Sequence, residues 1–153
     1  MDLEKKIYRF DDLVEIMGIL RGEDGCPWDR EQTMGDIKKY VLEECYEVME
    51  ACDIGGEKLA DELGDLLLQI VFLAQIGKEE DSFDIDRVTT LICQKMIRRH
   101  PHIFGSVAAD SSEAVLETWE KIKWQERGIQ SHSQALQDVA KSLPALLRAF
   151  KVQ

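Results

Sequence analysis

Cations are scarce in this sequence: 19 Lys and Arg stand against 30 Asp and Glu over 153 residues, a net charge of -11. That balance excludes a general surface for a nucleic acid polymer or a membrane, since either needs a basic patch. It leaves room for a small, locally basic pocket that takes an anionic metabolite. The four cysteines, Cys26, Cys45, Cys52 and Cys93, form no CxxC pair. Cys45 and Cys52 lie a heptad apart in helical text and read as buried thiols of a reducing compartment. The start, MDLEKKIYRF, lacks the apolar core of a secretory signal. No apolar run reaches the roughly 18 residues of a membrane span. A cytoplasmic location is therefore expected. Strand-like alternation, internal repeats and low-complexity linkers are also missing. With 44% hydrophobic and 32% charged residues, the chain reads as one all-α domain with a single core.

The helices follow from spacing and punctuation. Asp11 or Asp12 caps a first helix, carrying Leu13, Ile16, Met17 and Leu20, that ends near Gly22. GEDGCPWDREQT then reads as a loop, broken by Gly22, Gly25 and Pro27. Thr33, with Asp36 three residues on, caps a second helix whose stripe is Ile37, Val41, Cys45, Val48 and Cys52. Gly55-Gly56 ends it. A third helix runs from about Glu57 to about Lys78, and its middle, LLLQIVFLAQI, is apolar nearly all round. Such a helix is central to a bundle or lies across a subunit interface. Ser82 or Asp84 starts a fourth helix, Ile85 to about Arg99, stopped by Pro101. Ser111 or Ser112 starts a fifth, and after a polar loop Ser142-Leu143-Pro144 opens a last one.

The second and third helices carry the chemistry. Glu44 and Glu47 share one helix face, as do Glu62 and Asp65. If the helices fold back about Gly55-Gly56, positions whose numbers share a sum lie roughly opposite each other, Glu47 facing Glu62 and Glu44 facing Asp65. Four carboxylates then converge. Unpaired they repel and are costly to desolvate. Mg²⁺, a hard cation that takes oxygen ligands, relieves both. Helical geometry puts Glu44 about 60° and Glu47 about 120° from the stripe centre, at the border of core and water. One such acidic pair alone is more often a solvated face; two in mirror order are not. A di-iron site would need Glu-x-x-His on two helices, and the sequence has none.

The basic turn Lys95, Arg98, Arg99, His100 has two readings. One is simple matching to a helix C-terminus. The other is a phosphate clamp, for which Arg forks are suited. Trp28, in the CPWD segment, is a core plug or an aromatic wall, and Asp29 and Arg30 tie that loop down. Cys26 has no activating partner and reads as structural. Trp119 is part core, part platform for a base. His100 and His102 read as structural.

These blocks together resemble the MazG nucleoside triphosphate pyrophosphohydrolases, from about residue 10 to about residue 150. The segments that carry the likeness are CPWDREQT, LEECYEV, DELGDLLLQIVF, KMIRRHPHIFG and ETWEKIK. The resemblance implies an all-α, four-helix-bundle-like core with extra helices, associating as a homodimer or higher homo-oligomer. It implies Mg²⁺-dependent hydrolysis of a nucleoside triphosphate to the monophosphate and pyrophosphate. By matching position, Glu44, Glu47, Glu62 and Asp65 are metal ligands. Lys95 and Arg99, with Arg98, face the triphosphate, Trp119 contacts the nucleotide, and Lys123 is a further substrate contact. Glu43, or another acid near the site, orients the water as general base, although helix geometry points Glu43 away from the metal face. Lys95, Arg98 and Arg99 would also stabilise charge on the leaving pyrophosphate. Many members continue past SLPAL into a second, similar domain, so the chain is expected to be one MazG-like domain with room for a missing partner. Two rivals stay open: a house-cleaning enzyme restricted to modified or deoxy nucleotides, and a non-catalytic helical interaction module.

Overall fold

A computed structural model describes residues 6–137 and 139–152, and every regular element among them is an α-helix. The chain divides into two compact units, 1–90 and 91–153. The boundary falls inside one helix.

The first unit holds α1 (Phe10–Leu20), α2 (Pro27–Glu31), α3 (Met34–Ile54), α4 (Gly56–Glu79) and the opening of α5 (Ile85–Arg99). Each start has a local cause. The Arg9 backbone N–H donates to Asp12 Oδ2 at 2.8 Å ahead of α1. At α3 the Asp36 N–H donates to Thr33 Oγ1 at 3.3 Å, and the Thr33 N–H donates to Asp36 Oδ2 at 3.0 Å. That reciprocal cap is worth about 1 kcal/mol. Ahead of α5, the Arg87 N–H donates to Asp84 Oδ1 at 2.8 Å. Gly55 and Gly56 have φ of +74° and +59°, conformations that side chains with a Cβ resist. They reverse the chain and lay α4 antiparallel on α3.

The core of this unit is Met17, Ile37, Val71, Phe72 and Ile76, with Leu13, Val14, Tyr40, Val41 and Leu68 packed against it. It fills the open end of the α3–α4 hairpin, where Ile37 of α3 and Phe72 of α4 share one cluster. The acids lie in the half nearer the turn. Arg21, at the end of α1, binds three segments. Its Nε and Nη2 donate to the Glu79 carboxylate, with Nη2 to Oε2 at 2.6 Å. Its Nη1 donates to the carbonyls of Asp29 and Gln32, the latter at 3.1 Å. Its guanidinium also lies over Phe72, 5.2 Å from the ring centroid.

Two expectations change. The segment read as loop contains α2, because Pro27 at the first helical position starts a turn that Arg21 and Arg30 hold. Cys45 and Cys52 are exposed free thiols, not buried ones. The inward face of α3 instead passes through Ile37, Val41, Glu44, Val48 and Ala51. Within the chain α4 is not covered all round: Leu63, Leu67 and Ile70 are 37–48% exposed. Leu42, Tyr46 and Met49 of α3 are exposed as well.

The second unit holds the rest of α5, then α6 (Pro101–Phe104), α7 (Ser112–Glu126), α8 (His132–Gln137) and α9 (Ala145–Val152). Ser111 Oγ accepts the Ala114 N–H at 3.2 Å and caps α7. Pro101 ends α5 as expected but also begins the single turn of α6. The stretch read as a polar loop contains α8.

Candidate metal and phosphate sites

The hairpin brings three carboxylates together. One ligand oxygen each from Glu44, Glu47 and Glu62 lies within 4.8 Å of the others. They come from two helices because Glu44 and Glu47 sit before the Gly55–Gly56 reversal and Glu62 after it. Glu62 is 3% exposed, Glu44 half-buried and Glu47 exposed. The group is therefore a border site, reached by both protein and water.

The electrostatics follow the expected opposition. Lost solvation pushes Glu44 above the ordinary carboxylate range, and the largest charge effect added to it is that of Asp65. Glu47 is also pushed up, first by the charge of Glu62, then by lost solvation and a hydrogen bond between the two carboxyls. Asp65 is thus the neighbour of Glu44 but stands outside the group of three. Glu43 is exposed and also stands outside it, although its charge contributes to raising Glu44. Among the described residues a cation meets the cluster: Lys58 Nζ, one turn earlier on α4, donates to Glu62 Oε1. Lys58 carries no motif of its own; one helical turn sets it beside Glu62.

The donor set fits a hard divalent cation. Octahedral Mg²⁺ holds its oxygens at about 2.1 Å, which puts ligand oxygens up to roughly 4.2 Å apart. Three oxygens within 4.8 Å of one another lie close to that spread. These three acids could hold a metal.

At the end of α5 the basic residues are not all free. Arg98 and Arg99 share Glu126 of α7, with Arg98 Nε donating to Oε1 at 3.0 Å and Arg99 Nη2 donating to Oε2 at 2.6 Å. Arg99 is buried, and its guanidinium lies over the Trp119 ring, 5.2 Å from the centroid. His100 meets the same ring edge-on at 4.9 Å. The His100 Nδ1 bonds to the Met96 carbonyl at 2.6 Å, a structural use of that histidine. Lys123 pairs with Glu120 at 3.0 Å. Lys95 is half-buried and makes no hydrogen bond or ion pair among the described residues. Trp119 is half-buried, both packing partner and platform. Glu126 escaped the sequence reading because a lone acid at a helix end carries no motif.

Trp28 is 52% exposed, with its ring 6.3 Å from that of Tyr40. It is not a core plug. Arg30 does tie the loop, donating to the Glu23 carbonyl at 2.7 Å, while Asp29 does so through its main chain.

Fold and site define the class: an all-α protein whose helical hairpin gathers carboxylates at a candidate metal site. Residues 32–104 match the MazG nucleotide pyrophosphohydrolase domain. The chain is 48% identical over 149 residues to a nucleoside triphosphate pyrophosphohydrolase of Escherichia coli (strain K12), covering 95% of this chain and 56% of that protein. It is 44% identical over 145 residues to the nucleoside triphosphate pyrophosphohydrolase/pyrophosphatase MazG of Thermotoga maritima, covering 94% and 55%. With YabN of Bacillus subtilis (strain 168) it shares 46% over 152 residues, covering 98% and 31%. This chain belongs to the MazG family. It spans about half the length, or less, of these curated relatives.

Proposed function

We propose that the chain hydrolyses nucleoside triphosphates to the monophosphate and pyrophosphate with Mg²⁺. The observation that carries this reading is the convergence of Glu44, Glu47 and Glu62 from two helices on one point. The names of its relatives support it. Glu44, Glu47 and Glu62 hold the cation, and Asp65, adjacent to Glu44, completes the set. When bound, the cation supplies Lewis-acid chemistry on phosphate oxygens and lowers the pKa of water.

The chain's own residues do the rest. Lys95, Arg98 and Arg99 bind the phosphates and stabilise charge on the departing pyrophosphate. Trp119 meets the nucleotide, and Lys123 adds a further contact. Glu43, not needed as a ligand, orients the attacking water. The reading treats 1–153 as one catalytic module of the cytoplasm, which four free thiols support.

Among the described residues no helix is long and apolar enough to cross a membrane. The open stripes Leu63, Leu67, Ile70 and Leu42, Tyr46, Met49 are then best covered by a second copy, completing a four-helix core. Pyrophosphate release from a panel of canonical, deoxy and modified triphosphates, with Mg²⁺ and with EDTA, tests the function. Metal-dependent release supports it. Release from modified or deoxy substrates alone narrows it to house-cleaning. No turnover anywhere in the panel leaves the interaction module.

A further inference from the structure

Glu126, in the last turn of α7, takes both arginines of the α5 terminus at once. Its Oε1 accepts from Arg98 Nε at 3.0 Å, with Arg98 Nη2 in ion-pair contact at 3.0 Å. Its Oε2 accepts from Arg99, with Nε at 3.0 Å and Nη2 at 2.6 Å. One carboxylate oxygen thus grips the Nε–Nη2 edge of each guanidinium. A guanidinium has a second bidentate edge, Nη1–Nη2. Among the described residues neither Nη1 donates to any group. The side chain held in this way that is most enclosed is Arg99, 8% exposed and lying over Trp119. A buried cation needs a counter-charge to stay in place, and Glu126 is the acid that supplies it. Arg98 is the more accessible of the two, its side chain 53% exposed. One glutamate against Arg98, Arg99 and Lys95 still leaves the cluster positive, so a polyanion is attracted to it.

We propose that Glu126 is the positioning residue of the phosphate clamp: it holds both guanidiniums so that the open edge of Arg98, with the charge of Arg99 behind it, stands ready for phosphate oxygens. The inference rests on the clamp reading given above. Holding two long side chains in place before the ligand arrives lowers the ordering cost of binding. The opposite role, a carboxylate plug that must leave before phosphate can bind, reverses the sign of every effect below.

The test uses the full chain and inorganic tripolyphosphate as the binding probe, with triphosphate turnover alongside. Glu126→Ala should weaken tripolyphosphate binding by about tenfold and raise KM for the nucleotide by a similar factor, with a smaller loss in kcat. Glu126→Asp, which keeps the carboxylate, should recover part of the affinity. Glu126→Gln keeps the shape and one acceptor oxygen, and serves if the alanine variant loses its helical circular dichroism. Unchanged or tighter binding in the folded variants overturns the proposal. Arg99→Ala separates the two layers. If it weakens tripolyphosphate binding while Glu126→Ala and Glu126→Gln do not, only the role of Glu126 falls. If Arg99→Ala has no effect, the clamp reading falls with it.

Discussion

Lys58 and Glu62 lie one turn apart on α4, and the ammonium of the first donates to Oε1 of the second. Glu62 is also one of the three acids that meet across the hairpin. The lysine therefore neutralises part of a cluster in which two members are already pushed up by their neighbours and by burial. The bond raises the pKa of Lys58 in turn. The ammonium and a divalent cation compete for the same oxygen. Replacing Lys58 with Met should tighten Mg²⁺ binding by about twofold, measured by calorimetry, the modest gain expected when an exposed i,i+4 pair stops competing for the oxygen. The same variant should melt earlier in EDTA, where nothing offsets the repulsion. Unchanged Mg²⁺ affinity would show that the lysine and the metal do not contend.

The ligand set itself is tested at Glu62. Its carboxylate is buried, and Gln keeps its shape. Glu62→Gln should lower pyrophosphate release by at least about a hundredfold, roughly 3 kcal/mol of lost stabilisation, and abolish the Mg²⁺-induced rise in melting temperature. Its far-ultraviolet circular dichroism should match the parent. A variant retaining more than about a tenth of the parent's turnover would remove Glu62 from the set.

A pH dependence follows from Arg21 and Glu79. The hydrogen bond from Arg21 holds the Glu79 carboxyl below the ordinary glutamate range, with Gln75 adding to it. A depressed carboxylate stabilises the fold above its unfolded pKa and loses that contribution as pH falls through its folded one. Glu79→Gln should therefore melt below the parent at pH 7, and the gap should close on acidification below about pH 4. A gap that stays constant into acid would show that the loss is one of packing, not of charge.

Self-association is tested on the open stripe of α4. Leu67→Glu puts a charge at the middle of that stripe, between Leu63 and Ile70, all three partly open to solvent. In a dimer built on this face the substitution should give a monomer in sedimentation velocity at micromolar concentration. A parent chain that is already monomeric there would exclude the interface.

Much of the hairpin was legible in the sequence because two local rules fix it. Thr33 and Asp36 mark where α3 begins, and Gly55 and Gly56 mark where it reverses. Between these points the facing residues follow by position. The inward face of α3 was harder to read, because Cys45 and Cys52 have helical spacing and apolar character. The structure turns them outward and seats Glu44 and Ala51 toward α4 instead. A periodicity argument cannot place an acid on a buried stripe unless its partners across the turn are counted first. The basic turn at the end of α5 was legible as a run of cations. The carboxylate that pairs with its arginines lies 27 positions further on from Arg99, where only tertiary structure could bring it. Arg21 was missed for the same reason: its main work is done through carbonyls of the following loop and an acid 58 positions away.

The glycine pair at 55 and 56 acts as the origin of a ruler. Every facing pair along α3 and α4, from Glu47 and Glu62 out to Ile37 and Phe72, is set by its distance from that point. One residue inserted into α4 just before Glu62 would swing both of its acids by about 100° and leave those of α3 where they are. Chain length in this stretch is therefore under tighter restraint than side-chain identity on its outer faces. A deletion of a single codon there should do more harm than most substitutions.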